Sequence, residues 1–96
     1  MKKMTDAEIT AALAKLPSWT LQSGKLHREY KFPDFTHAIG YMAAVAPAID
    51  KLDHHPEWAN VYNRVTVDLV THDAGGITEM DFKLAALLED FSTRVL

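Results

Sequence analysis

The sequence contains no cysteine. That removes disulfides, thiolate nucleophiles and Cys-ligated zinc. No apolar run approaches the ~18–20 residues that a membrane-spanning helix needs, and no basic amphipathic helix is present for a membrane surface. Ten Lys and Arg stand against thirteen Asp and Glu, a net charge of -3. The basic residues are scattered, whereas a surface that tracks phosphates needs them clustered. Neither nucleic acid nor membrane is expected as a partner. Only four glycines occur. The one adjacent pair, Gly75-Gly76, lacks the flanking strand–helix pattern and the lysine of a phosphate-binding loop. No serine nucleophile elbow is visible. After Met1-Lys2-Lys3-Met4 come Asp6 and Glu8 rather than the apolar core of a signal peptide, so the expected compartment is the cytoplasm.

What is present describes one domain, residues 1–96. The 48% hydrophobic and 24% charged content fits a soluble globular chain and not a disordered one. A chain of this length buries only about 60–65% of its unfolded surface, which favours association with further copies.

The chain reads as alternating helical and extended segments. Thr5-Asp6-Ala7-Glu8 is a capping box, opening a helix expected to run to about Leu16, ahead of Pro17. Trp19-Thr20-Leu21 alternates, Ser23-Gly24 is a turn signal, and Leu26, Tyr30 and Phe32 share one side of the next strand, which makes a hairpin. Arg28 falls on that apolar side. Asp34 is the expected N-cap of a second helix. Phe35, Ile39, Met42, Ala46 and Ile49 form its stripe, with Pro47 inside it expected to kink the helix or free a carbonyl. Val61, Val65, Val67 and Leu69 indicate extended structure, either a second hairpin turning near Asn63-Arg64 or one long strand. Thr78-Glu79-Met80-Asp81 resembles another capping box, and Leu84, Leu87, Leu88, Phe91 and Val95 stripe a last helix. The fold class is α+β: a leading helix, then ββαββα, giving a two-layer domain with a four-stranded antiparallel sheet and its helices on one face. The other face is left open.

One helical step beyond Ile49 the stripe meets Asp53, a carboxylate where an apolar residue belongs, and such breaks concentrate at functional sites. His54 lies four residues after Asp50, so the two can meet, and the helix C-terminus adds a field favouring imidazolium by roughly 0.3–1 kcal/mol. Pro56 pushes His55 out of helical geometry. A histidine placed so suits proton donation near neutral pH. Histidines at helix ends also serve simply as caps, and His27 and His37 have no supporting pattern. A zinc site is disfavoured, because His54 and His55 are adjacent and no His-x-x-x-His spacing puts two ligands on one face.

The pattern Asp50-x3-His54-His55-Pro56-x5-Tyr62-x9-His72-x8-Asp81 resembles the signature of the pterin-4a-carbinolamine dehydratases. Lys51 to Trp58, then Asn60-Val61-Tyr62-Asn63 and Thr71-His72-Asp73, resemble the family's central blocks. The likeness is strong over 50–81 and loose elsewhere. It implies the same ββαββα fold and one reaction, loss of water from 4a-hydroxytetrahydropterin to give quinonoid dihydropterin. That would recycle the pterin of an aromatic amino-acid hydroxylase, with no metal or organic cofactor. By resemblance His54 and His72 are the acid–base pair, with the assignment between them open. His55 is a third catalytic residue that binds and orients the pterin. Asp53 and the segment Val70-Thr71-His72-Asp73 hold the pterin's polar edge, Trp19 or Trp58 covers its ring, and Asp50, Pro56 and Asp81 support the histidines from behind. The family also implies a homodimer or homotetramer. Two other roles stand beside this one: an interaction module, as in animal members that bind the dimerisation segment of a homeodomain transcription factor, and action on a related pterin-like ligand.

Overall fold

The computed structural model describes residues 1–95, the last of them, Val95, by its backbone alone. The expected stripe position at Val95 therefore lies outside the described side chains. Helix α1 spans Asp6–Leu13, strands β1 and β2 span Thr20–Gln22 and Lys25–Lys31, and α2 spans Phe35–Leu52. Strands β3 and β4 span Glu57–Val61 and Arg64–Leu69, a short 3-10 turn covers His72–Ala74, and α3 spans Glu79–Val95. The sheet is antiparallel throughout, in the order β1-β2-β4-β3. This is the expected α+β arrangement. No helix among the described residues is long and apolar enough to cross a membrane.

Local chemistry explains most boundaries. Thr5 and Glu8 form the reciprocal capping box of α1, and Asp34 caps α2 by accepting from the His37 N–H. Helix α1 stops at Leu13, three residues before the expected end. Tighter turns follow, Lys15 to Ala12 and Leu16 to Leu13. Ser23 and Gly24, at φ 52° and 76°, make the two-residue turn with both central residues left-handed that matches strand twist. The second extended region is a hairpin, not one long strand. It turns at Tyr62-Asn63, with Tyr62 at φ 51°, so Val61 faces out and is 62% exposed.

The stripe of α2 is rotated from its expected position. Ala38, Tyr41, Val45 and Ile49 are the buried residues, while Phe35 and Ile39 are exposed. Two adjacent stripes of similar apolarity ran along this helix, and the larger Tyr41 with Val45 took the core side. The helix runs through Pro47 unbroken; Ala43, whose carbonyl loses its i+4 donor, is solvent-exposed, so water can replace the bond.

The core lies between the sheet and the helices: Leu26, Val65, Val67 and Leu69 from the strands meet Val45, Leu84 and Leu88. Arg28 does point to the helix side. Its Nε donates to Glu89 at 2.8 Å and its guanidinium covers the Tyr30 ring at 4.2 Å. The same Glu89 oxygen accepts from the Trp19 indole at 3.0 Å and the Tyr30 hydroxyl at 2.8 Å. One carboxylate thus ties β2 and the segment before β1 to α3. Glu89→Ala strands three donors in a part-buried place and should cost about 2–3 kcal/mol in urea unfolding. A loss within ~0.5 kcal/mol, the range of an ordinary surface change, would show that the brace is not structural.

Burial pushes the Tyr30 and Tyr41 phenols far above the ordinary 10.0. In the unfolded chain both ionise near that value, so above it the unfolded state binds fewer protons. The stabilisation is complete below pH about 10 and is lost as the pH rises further. Urea midpoints should therefore fall steeply as the pH rises above about 10, and Tyr41→Phe should flatten that fall. An equal slope in the variant would remove Tyr41 from the effect.

Candidate active site

Helix α2 ends at Leu52, and Asp53 caps it at φ 57°, ψ 39°. Asp is one of the few side chains that tolerates this left-handed conformation, and its N–H bonds back to Ile49 and Asp50. The reversal throws the next residues off the helix axis toward the end of β4. There Thr71 and Gly76 pair backbone to backbone across the 3-10 turn, closed by Gly75 at φ 75°. His54, His55, Val70, Thr71, His72 and Asp73 line one open cleft of ≈230 Å³. Six of the seven residues predicted to bind line it; Asp53 shapes the chain beside it.

Each cleft histidine has its Nε2 on a carboxylate. His54 reaches Asp81 at 2.6 Å, His55 reaches Asp50 at 2.9 Å, and His72 reaches Glu57 at 2.9 Å. The three carboxylates come from α3, α2 and β3. A carboxylate only accepts, so Nε2–H donates in each pair. Among the described residues Nδ1 of each ring has no hydrogen-bond partner, so it is the nitrogen left free. The two histidines outside the cleft pair the other way: His27 through Nδ1 to Asp68 and His37 through Nδ1 to Asp34.

The environments differ. The His54 side chain is 15% exposed and its partner Asp81 is fully buried. Asp81 also accepts from the Thr71 hydroxyl and the Thr78 N–H, both at 2.9 Å, and Thr78 bonds Thr71 at 2.8 Å. The capping box expected at Thr78 is thereby recruited to the site: Asp81 caps α3 with one oxygen and orients His54 with the other. The pairs at His55 and His72 stand in solvent, where screening leaves them little energy.

Two sequence expectations change here. Asp50 does not meet His54, because the helix has already ended and the reversal at Asp53 carries His54 across to α3; His55 takes Asp50 instead. Trp19 is a core residue held by Glu89, and neither Trp19 nor Trp58 lines the cleft. Glu57 was missed. The Lys25 ammonium, and after it His72, holds its carboxyl below the usual carboxylate range. Its position directly after Pro56, opening a strand, was the available signal. Among the described residues no group of three or more His, Asp or Glu is arranged to hold a metal ion.

Residues 2–91 match the family model for pterin 4 alpha carbinolamine dehydratase. A presumed pterin-4-alpha-carbinolamine dehydratase of Solibacter usitatus is 58% identical over 87 residues, 91% of this chain and 92% of that protein. One from Rhizobium leguminosarum is 46% identical over 98% of this chain and 95% of its own length. A crystal structure described as a transcriptional coactivator/pterin dehydratase from Brucella melitensis superposes with a TM-score of 0.89 at 43% identity, covering 94% of this chain and 98% of that one. With the family model spanning nearly the whole sequence and the histidine pattern set on the matching fold, the chain belongs to the pterin-4a-carbinolamine dehydratase family.

Proposed function

We propose that the cleft dehydrates 4a-hydroxytetrahydropterin to quinonoid dihydropterin, using its histidines as general acid and base. The supporting observation is the set of three imidazoles around one cleft, each backed by a carboxylate through Nε2 and each with Nδ1 free. The reaction suits this set. The C4a–O bond breaks and the hydroxyl leaves as water after one imidazole protonates it. A second imidazole takes the proton of a ring nitrogen, whose electron pair closes the new C=N bond. Imidazole can both donate and accept a proton, so one type of side chain carries both transfers.

His54 and His72 are the proton carriers in this reading, and His55, exposed beside Asp50, binds and orients the ring. Val70, Thr71 and Asp73 hold its polar edge, with Asp53 beside them. Asp50 and Asp81, with Pro56 fixing the chain, hold the histidines. No metal or organic cofactor takes part. The enzyme would recycle the pterin of an aromatic amino-acid hydroxylase in the cytoplasm, as a homodimer or homotetramer. The test is to generate the 4a-carbinolamine with a hydroxylase and follow its dehydration by ultraviolet absorbance. The protein should accelerate the decay in proportion to its concentration; a decay no faster than the buffer-catalysed one would overturn the reading.

A further inference from the structure

We propose that Glu57 is a positioning residue for His72, and that Lys25 decides which way it works. The inference rests on the cleft acting as a dehydratase site. Glu57 is the first residue of β3 and faces the open side of the sheet opposite Asp68. Its two oxygens are divided: Oε1 takes the Lys25 ammonium at 2.5 Å and Oε2 takes His72 Nε2 at 2.9 Å. Lys25 opens β2, on the far side of β4, so three segments distant in sequence meet at one carboxylate. The 3-10 turn that carries His72 gives its ring no other hydrogen-bond partner among the described residues. His72 is also 74% exposed, so packing does not fix the ring. Glu57 is what orients it.

The carboxylate sets the tautomer: its oxygens only accept, so Oε2 favours the His72 form with the proton on Nε2, which keeps Nδ1 bare for the substrate, while Lys25 holds Oε1. Exchange of the carboxylate for an amide turns this arrangement round. An amide has one acceptor oxygen, and the ammonium is the stronger claimant for it. In Glu57→Gln the oxygen therefore goes to Lys25 and the amide N–H faces His72. Nε2 must then accept, the proton moves to Nδ1, and the nitrogen left for the substrate is the protonated one. Removing the ammonium as well releases the amide to rotate and offer its oxygen to His72.

The full chain is therefore compared as wild type, Glu57→Gln and Lys25→Met/Glu57→Gln. Imidazole nitrogen chemical shifts are read without substrate, and dehydration kinetics are read separately. Wild-type His72 should show the Nε2–H form. Glu57→Gln should show the Nδ1–H form and a kcat about tenfold lower, the low end for an outer-sphere partner since the pair is exposed, with KM unchanged. The double variant should recover both the Nε2–H form and most of kcat. A merely structural Glu57 would not be rescued by deleting a lysine. His72 keeping the Nε2–H form in Glu57→Gln, or the double variant failing to restore it, would overturn the inference. A wild type inactive on the carbinolamine would instead overturn the dehydratase reading, and the tautomer shifts would still judge Glu57.

Discussion

Replacing His54 and His72 together by alanine should lower kcat/KM for carbinolamine dehydration by at least about 10²–10⁴-fold, the usual contribution of general acid–base groups. In the proposed mechanism both transfers lose their carriers at once, and His55 alone cannot serve both ends of the reaction. The fold should survive: Asp81 keeps the Thr71 hydroxyl and the Thr78 N–H, and His72 is too exposed to matter to the core. His27→Ala/His37→Ala is the control, since both residues pair outside the cleft. It should retain the wild-type rate. A His54/His72 variant as fast as wild type, with the same far-ultraviolet circular dichroism, would remove the histidines from the chemistry.

Asp81→Ala should be the most damaging single change to stability, at about 3–5 kcal/mol in urea unfolding. The carboxylate is fully buried and gathers His54, the Thr71 hydroxyl and the Thr78 N–H. Thr78 is itself fully buried, so its N–H has no water to turn to once the acceptor is gone. A domain of this kind has only about 5–15 kcal/mol of total stability, so the midpoint shift should be large. Asp81→Asn should fall between, since the amide offers one acceptor where three donors converge. Its His54 would lose either the acceptor or the correct tautomer, and kcat should drop while the fold persists. A cost below ~1 kcal/mol for the alanine variant would mean that the Thr71–Thr78–Asp81 cluster carries no structural weight.

The order of elements was legible because each long segment carries its own period and its own cap. Thr5 with Glu8, Asp34, Ser23-Gly24 and Thr78 marked four boundaries by local chemistry alone. The rotation of α2 was not legible, since Phe35/Ile39 and Ala38/Tyr41/Val45 are both apolar helical rows, and only the sheet decides which one faces it. At the site, the histidines could be named from spacing and family resemblance, but their partners could not. A contact between His54 and Asp81 spans 27 residues, and it exists because Asp53 reverses the chain. The i, i+4 rule that paired Asp50 with His54 assumes a helix that continues, and this one has stopped. Glu57 escaped for a similar reason: its role depends on Lys25, which lies two strands away and 32 residues earlier.

The location of the pterin is open to one direct measurement. All five imidazoles can be followed by nitrogen chemical shift while 7,8-dihydropterin, a stable reduced pterin, is added to the wild-type protein. His54, His55 and His72 should move together along one binding curve, while His27 and His37 stay still. Shifts confined to His27 or His37, or no shift at any histidine at saturation, would contradict a pterin site in this cleft.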